Sequence, residues 1–199
     1  MIKLPPHAPG MRIGLFGGSF NPPHEGHRLV VLTALRRARL DALWVMVTPG
    51  NPLKDAAQLP PLAERFAKAE AFFRHPRVKV TDFETLLRVR YSWQTVDFLA
   101  RRAPGVKFVW VMGADNLASF HRWRRWRDIA KIMPILVVDR PGSTHRAAFG
   151  VVSRWFGRQR LPEAQAARLC DRRPPALVLL HGPRSPLSST HLRARRHFP

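Results

Sequence analysis

The sequence has few features of an exported, membrane-spanning or disulfide-bonded protein. Its single cysteine, Cys170, excludes an internal disulfide and a zinc site built from several cysteines. The N-terminal segment MIKLPPHAPG lacks the apolar stretch of a secretory signal. No apolar run approaches the ~20 residues that a membrane-spanning helix needs. These absences predict a cytoplasmic protein that does not act at a membrane.

Acidic residues are also scarce: 13 Asp and Glu face 34 Lys and Arg, which gives a formal net charge of +21. A balance this basic predicts an anionic partner, either a nucleic acid or a small polyphosphate. An arginine-rich surface can also reflect a GC-rich genome, so charge alone does not choose between these explanations. The sequence contains no pattern of an RNA- or DNA-binding module, and we expect no specific nucleic-acid partner.

The order of apolar segments indicates an α/β fold. Short apolar segments rich in β-branched residues predict buried parallel strands at 11–16, 42–48, 78–81, 107–112, 134–138 and 176–180. Amphipathic segments between them predict helices at 26–39, 62–74 and 92–102. Alternation of strands and helices predicts right-handed βαβ units. We therefore expect a Rossmann-like doubly wound parallel sheet with flanking helices.

The length of 199 residues suits a single domain. We expect residues 1–199 to form this one domain, with its core in 11–142. The arginine-rich segment 143–175 has only a weak helical pattern, and we expect it to be a basic surface excursion. The last part, 176–199, would contain the final strand and the start of a helix.

The first predicted strand leads directly into a loop that suits a phosphate group. Residues 17–27 read GGSFNPPHEGH, in which Gly17 and Gly18 let the backbone turn and approach a ligand closely. The following helix start offers free N–H groups and the positive end of the helix dipole, worth ~0.3–1 kcal/mol per anionic group. His24 and His27 are three residues apart, so both can face the same side of the first helical turn.

Two other interpretations of this loop remain open. It could be an ordinary glycine turn followed by two histidines at a helix start. The pair His24 and His27 could also be half of a zinc site, although no third ligand is evident. The loop is neither a dinucleotide-binding fingerprint, since it lacks the third glycine, nor a Walker loop, since it lacks the terminal lysine and hydroxyl.

Ligands of a doubly wound sheet bind beyond the carboxyl ends of its strands, where further polar residues occur. Asp115 could accept hydrogen bonds from ribose hydroxyls, and Trp123 offers a flat apolar face. Simpler roles exist for each: a helix N-cap for Asp115, packing beside Trp126 for Trp123, and a solvated surface position for Lys54. The hydroxyls at 188–190 could serve only to cap a helix.

Several motifs together resemble those of the nicotinate and nicotinamide mononucleotide adenylyltransferases, within the wider HxGH nucleotidyltransferase superfamily. Residues 17–27 match GGxFxPxHxGH, residues 113–123 match GxDxxxxFxxW, and residues 187–193 match ISSTxxR with leucine in place of isoleucine. Weaker similarities are a lysine-bearing loop at 48–54, a YTxxT-like stretch at 91–95 and RPG at 140–142. The matches extend over nearly the whole chain.

The resemblance implies roles for individual residues. His24 and His27 would bind ATP phosphates and stabilise charge at the α-phosphorus during transfer. The other implied ATP-binding residues are Gly17, Gly18, Ser19, Phe20, Gly113, Asp115, Ser188, Ser189, Thr190 and Arg193. The implied substrate-binding residues are Lys54, Tyr91, Ser92, Thr95, Trp123 and Arg140. Trp123 would stack on the pyridine ring, and backbone donors at the helix start near Tyr91 would meet the nicotinate carboxylate.

The implied reaction joins the AMP part of ATP to nicotinate mononucleotide, giving nicotinate adenine dinucleotide and pyrophosphate in NAD biosynthesis. Because the second pKa of a phosphate monoester is near ~6, the attacking oxygen is already ionised at neutral pH and needs no strong base. The reaction needs in-line placement and groups that offset negative charge, including a Mg²⁺ ion carried by ATP. No protein ligand for a metal is implied.

Alternatives remain at the level of the substrate and of the functional class. Nicotinamide mononucleotide or phosphopantetheine could accept the adenylyl group by the same chemistry. The YTxxT-like stretch favours the anionic nicotinate over the neutral nicotinamide. A basic nucleic-acid-binding protein is the alternative from a different class. The sequence leaves open whether the chain forms a homo-oligomer.

Overall fold

The computed structural model describes residues 2–50, 59–139 and 150–181. The strands in these ranges are β1 (Arg12–Gly18), β2 (Ala42–Val47), β3 (Val78–Thr81), β4 (Lys107–Gly113), β5 (Ile135–Val138), β6 (Arg160–Leu161) and β7 (Leu177–Leu180). They form one sheet in the order β3-β2-β1-β4-β5-β7-β6, and each neighbouring pair is parallel. The Rossmann-like doubly wound sheet expected from the sequence is thereby confirmed.

Helices connect the strands. The α-helices are α1 (Glu25–Arg37), α2 (Leu62–Phe72), α3 (Phe83–Leu86), α4 (Ser92–Arg102), α5 (Ala114–Ser119), α6 (Trp126–Ile132) and α7 (Val151–Phe156). Short 3-10 helices occupy Phe120–Arg122, Gly157–Gln159 and Glu163–Asp171. None of the helices within the described ranges has the length and apolar character needed to span a bilayer.

The strand order reverses between β1 and β4. From β1 the chain adds β2 and β3 on one side, and then it places β4 and β5 on the other side. In such a sheet the crevice outside the carboxyl ends of the strands at the reversal is where ligands bind. The two strands that flank this crevice end at Gly18 and Gly113. The topology therefore brings the first glycine loop and the start of α5 to the same edge of the sheet.

Apolar residues cover both faces of the sheet. All six residues of β2 are buried, and they alternate between the two core clusters: Trp44 and Met46 belong to one, Val45 and Val47 to the other. The first cluster includes residues of α4 and α6, and the second includes residues of α1 and α2. Burial on both faces explains why these strands appear in the sequence as continuous apolar runs.

The expectation of a surface excursion at 143–175 is wrong for its described part, residues 150–175. Val152 and Phe156 of α7 belong to the first core cluster, and Ala166, Leu169 and Cys170 belong to the second. Exposed arginines lie between these buried apolar residues. The average composition of the segment is therefore basic, and it does not reveal that one side of the segment packs into the core. The limits of the domain itself stay a prediction.

Candidate functional site

The loop after β1 is shaped by Gly18 and Phe20. Phe20 has a φ of +45°, which folds its ring back over Gly18. A Cβ atom on Gly18 would lie 3.0 Å from the Cζ atom of that ring, so any other residue would require the ring to shift and the packing favours glycine there. A Cβ atom on Gly17 would have only ordinary contacts, the nearest at 3.6 Å from Met46. The internal packing therefore explains Gly18 and leaves Gly17 without a structural requirement.

Phe20 supports the loop from below. Its side chain is buried, with ring centroids 5.5 Å from Phe16, 5.5 Å from Phe73 and 5.1 Å from His27. These edge-on contacts are the arrangement that aromatic rings prefer. Since the ring faces the core, the ATP contact expected for Phe20 can involve only its main chain.

His24 and His27 cap the N-terminus of α1. His24 is the N-cap residue, and its Nδ1 accepts a hydrogen bond from the N–H of Gly26 at 3.1 Å. The Nδ1 of His27 accepts from the N–H of His24 at 3.2 Å. The two imidazoles thus fill the places that a hydroxyl and a carboxylate take in a common capping box. Their ring centroids are 3.8 Å apart and their planes are inclined by 33°.

The caps fix the tautomer of both rings. A ring nitrogen that accepts from an N–H carries no proton, so in each neutral imidazole the proton lies on Nε2. The two histidines are therefore held side by side, each with its N–H on the nitrogen that is not used by the cap. Paired N–H donors at a helix N-terminus are suited to oxygen atoms of a phosphate.

Arg65 of α2 holds the loops after β1 and β2 together, and the sequence interpretation did not identify it. Its side chain is 2% exposed. Its guanidinium donates to four main-chain carbonyls: Nη1 to Ser19 and Thr48, both at 2.9 Å, Nε to Pro60 at 3.0 Å, and Nη2 to Pro49 at 3.2 Å. The sequence did contain a signal for this residue. Arg65 lies three residues after Leu62 and four before Ala69, and therefore on the apolar face of the amphipathic helix, to which Phe73 also belongs.

On the other side of the reversal, the end of β4 presents Gly113 and Asp115. Gly113 is buried and is the N-cap residue of α5, whereas Asp115 is exposed in the first turn. Asp115 is therefore not the N-cap residue, which removes the simplest structural explanation for this carboxylate. A carboxylate at this edge of the sheet can accept hydrogen bonds from ribose hydroxyls.

Trp123 is partly buried at the edge of the first core cluster. Its ring centroid lies 5.2 Å from that of Phe120 and 6.3 Å from that of Trp110, and both contacts are edge-on. Trp126 instead packs against Phe120 and Trp155. Trp123 is thus oriented by neighbours other than Trp126 and keeps part of its side chain in solvent.

The start of α4 is connected to the segment that carries Trp123. Tyr91 is the N-cap residue of α4, and the Oε1 of Gln94 accepts from the N–H of Tyr91 at 3.0 Å. The guanidinium of Arg124 lies 5.0 Å from the Tyr91 ring centroid, and that of Arg125 lies 4.2 Å from the Trp93 ring centroid. These cation–π contacts place positive charge beside the helix start, next to Ser92, where a carboxylate of the substrate is expected.

Thr95 is fully buried, and its hydroxyl donates to Oε1 of Glu84 at 2.6 Å. The substrate contact expected for Thr95 can therefore involve only its main chain. Glu84 lies in α3 and is itself buried, another residue that sequence interpretation missed. Burial raises the pKa of the Glu84 carboxyl, and the hydrogen bond from Thr95 partly opposes this effect.

Replacing Glu84 by glutamine is expected to change how stability depends on pH. The carboxyl has a pKa of about 4.3 when the chain is unfolded and a higher pKa when it is folded. The contribution of the Glu84 carboxyl to the free energy of unfolding is thus most favourable below about pH 4.3, and it is lost as the pH rises through the folded-state pKa. The free energy of unfolding of Glu84→Gln should rise relative to the unmodified chain over this interval, by about 1.36 kcal/mol per pKa unit.

Urea denaturation at pH values from about 4 to 8 measures this difference. Glu70→Gln removes an exposed carboxylate of α2 and controls for the change in net charge. A stability difference between Glu84→Gln and the unmodified chain that stays constant with pH would contradict the assignment of a raised pKa to Glu84.

Six of the expected site residues lie outside the described residues: Lys54, Arg140, Ser188, Ser189, Thr190 and Arg193. Their roles stay predictions. The structure does bring the loop after β1 and the start of α5 to one edge of the sheet, since β1 and β4 are adjacent parallel strands. The capped histidine pair follows the first of these strands, and Asp115 follows the second.

Comparison with known proteins supports a single family. A family model described as cytidylyltransferase-like matches residues 15–195. A relative from Brucella abortus (strain 2308), named "Probable nicotinate-nucleotide adenylyltransferase", is 55% identical over 183 residues, which are 92% of this chain and 94% of the relative. A relative of the same name from Rhizobium meliloti (strain 1021) is 55% identical over 186 residues, 94% of this chain and 99% of the relative.

Solved structures support the fold independently. The nicotinic acid mononucleotide adenylyltransferase of Plasmodium falciparum, complexed with NaAD, matches with a TM-score of 0.69 and 14% identity over 92% of this chain and 83% of that chain. At this identity the likeness supports the fold alone. The family model and the two relatives carry the assignment further: the chain belongs to the cytidylyltransferase-like family and, within it, to the nicotinate-nucleotide adenylyltransferases.

Proposed function

We propose that this chain transfers the adenylyl group of ATP to nicotinate mononucleotide, in NAD biosynthesis. The observation that carries the proposal is the histidine pair at the start of α1, located where the strand order reverses. Both rings hold their proton on Nε2 and can donate to phosphate oxygens. The relatives, named as nicotinate-nucleotide adenylyltransferases, support the same reaction.

In this reaction an oxygen of the mononucleotide phosphate attacks the α-phosphorus of ATP. A bond forms between that oxygen and the α-phosphorus, and the bond from the α-phosphorus to the bridging oxygen of pyrophosphate breaks. The products are nicotinate adenine dinucleotide and pyrophosphate. The attacking phosphate is already ionised at neutral pH, so the histidines act as donors to developing negative charge rather than as bases.

Mg²⁺ enters this proposal as part of the ATP substrate. Within residues 2–50, 59–139 and 150–181, no group of three or more His, Cys, Asp and Glu side chains is arranged to hold a metal ion. Mg²⁺ commonly keeps several water ligands and is bound through substrate phosphates with few protein carboxylates. The ion would offset the negative charge of the triphosphate. The Nε2 atoms of His24 and His27 would contact the oxygens of the triphosphate.

The predicted site residues divide between the two substrates. The residues that would contact ATP are Gly17, Gly18, Ser19, Phe20 through its main chain, Gly113, Asp115, Ser188, Ser189, Thr190 and Arg193. Tyr91, Ser92, the main chain of Thr95 and Trp123 would form the pyridine site, with Lys54 and Arg140 contacting phosphate or dinucleotide. The guanidiniums of Arg124 and Arg125 beside the start of α4 favour an anionic ring substituent, and so nicotinate over nicotinamide.

The test is pyrophosphate release with MgATP, comparing nicotinate mononucleotide with nicotinamide mononucleotide at equal concentration. We expect faster release with nicotinate mononucleotide. Equal or faster release with nicotinamide mononucleotide would reject the proposed substrate and keep the reaction class. If folded protein releases no pyrophosphate with either substrate, the proposal is rejected.

The proposal also includes a cytoplasmic location and the absence of a specific nucleic-acid partner.

A further inference from the structure

We propose that Arg65 is a positioning residue for adenylyl transfer. Two loops are involved: the β1 loop, residues 19–23, and the β2 loop, residues 48–50. Arg65 would hold these loops in the one arrangement in which His24 and the nucleotide phosphates meet correctly. This inference rests on the proposed function, because it concerns the same site. Arg65 itself belongs to none of the motifs from which that site was predicted.

One guanidinium joins three separate segments of the chain. Its four hydrogen bonds go to Ser19 in the β1 loop, to Thr48 and Pro49 in the β2 loop, and to Pro60 just before α2. The N–H of Thr48 adds a direct bond to the carbonyl of Gly18 at 3.0 Å. Because guanidinium is planar and its N–H groups are fixed in a fork, these acceptors are held at set directions from one another.

The burial of this charge is costly for a purely structural role. None of the ion pairs found in the described part of the chain includes Arg65, so its positive charge is balanced there only by carbonyl dipoles. Burial accordingly lowers the pKa of the Arg65 guanidinium. Apolar residues of similar volume are often as stabilising as buried charged groups. A charge kept here instead adds positive potential at the β1 loop, where an anionic triphosphate would bind.

The β1 loop leads directly into His24, the residue that would contact the nucleotide phosphates. In sequence, the β2 loop precedes Lys54, which is expected to contact a phosphate. The hydrogen bonds from Arg65 to Ser19 and Thr48 therefore fix the position of the histidine pair relative to the β2 loop. Misplacement of reacting groups by about 1 Å can cost about 10²-fold in rate. Loss of the four hydrogen bonds should thus appear in catalysis as well as in stability.

The experiment compares Arg65→Met with the unmodified chain. Methionine keeps an unbranched apolar side chain and removes every donor. Arg77→Met is the matched control, because the Nη1 of Arg77 also donates to a main-chain carbonyl, that of Leu40 at 3.1 Å, before β3 and at the opposite end of the strands. Two quantities are measured well below the melting temperature: kcat for pyrophosphate release per folded protein, and the Kd of a non-hydrolysable ATP analogue.

We expect Arg65→Met to lower kcat by about 10²-fold and to weaken binding of the analogue, while Arg77→Met changes neither. A folded Arg65→Met protein with unchanged kcat and unchanged Kd would overturn the proposal. If Arg65→Met does not fold, Arg65→Lys decides. Lysine keeps the charge without the planar fork, so a fall in kcat supports the proposal and an unchanged kcat overturns it.

The two readouts separate this proposal from the proposed function. Suppose the unmodified chain releases no pyrophosphate with nicotinate mononucleotide yet binds the ATP analogue. Weaker analogue binding by Arg65→Met would then support the role of Arg65, although the proposed acceptor would be wrong. If the unmodified chain does not bind the analogue, both proposals are overturned.

Discussion

Alanine in place of His24 is expected to lower the turnover of adenylyl transfer by about 10²–10³-fold without unfolding the protein. Removal of one preorganised donor to developing negative charge has an effect of this size in other enzymes. The N-cap bond to Gly26 is lost as well, at a cost of about 1 kcal/mol, which an otherwise intact core tolerates. Pyrophosphate release at saturating substrate measures the first effect, and thermal denaturation measures the second.

Asparagine at position 24 separates these two roles. Asparagine is among the best N-cap residues, and its side-chain oxygen can accept from Gly26 as the Nδ1 of His24 does. It has no group that corresponds to Nε2. We therefore expect His24→Asn to recover stability but to remain as slow as His24→Ala. Full turnover in the asparagine variant would mean that His24 acts only as a cap, and the proposed mechanism would be wrong.

Alanine in place of Trp123 is expected mainly to raise the KM for nicotinate mononucleotide. Stacking of an aromatic side chain on a base contributes about 1–3 kcal/mol, and each 1.4 kcal/mol corresponds to about tenfold in affinity. The indole of Trp123 is partly exposed and is held by edge-on contacts with Phe120 and Trp110. Steady-state kinetics with the mononucleotide varied and ATP saturating gives KM and kcat separately.

The matched control for this variant is Trp155→Ala. Trp155 is also a partly buried tryptophan of the first core cluster, and it packs edge-on against Trp126 rather than beside Trp123. Its removal should cost comparable stability and leave the KM unchanged. An equal rise of KM in both variants would indicate a general loosening of the aromatic cluster, and Trp123 would then have no specific contact with the pyridine ring.

The fold could be predicted from the sequence because its central strands are buried on both faces. Each of the six strands expected from apolar runs is present, and β1 extends beyond the expected end to Gly18. Among the strands of the described residues, β6, with two residues, is the one that was missed. A strand of two residues contains too few side chains to produce a pattern, and its neighbours are arginine-rich.

The site could be predicted only where a motif identified the residues. The capped histidines, Asp115 and Trp123 were expected, whereas Arg65 and Glu84 were not. Arg65 lies inside a segment that reads as an ordinary amphipathic helix, and Glu84 lies in the four-residue helix α3, which the sequence analysis did not predict. Charged residues normally face solvent. Their burial depends on acceptors or donors from distant parts of the chain, such as Ser19 for Arg65 and Thr95 for Glu84. Local sequence does not contain that information.

The position of β7 between β5 and β6 has a consequence for the newly made chain. All four residues of β5 are buried, and one of its edges pairs only with β7, which is synthesised much later. Until Leu177–Leu180 leave the ribosome, that edge presents unpaired main-chain groups on an apolar strand. Such edges recruit strands from other molecules, and translation adds only about 5–20 residues per second. The nascent enzyme is therefore exposed to aggregation until Leu177–Leu180 are made.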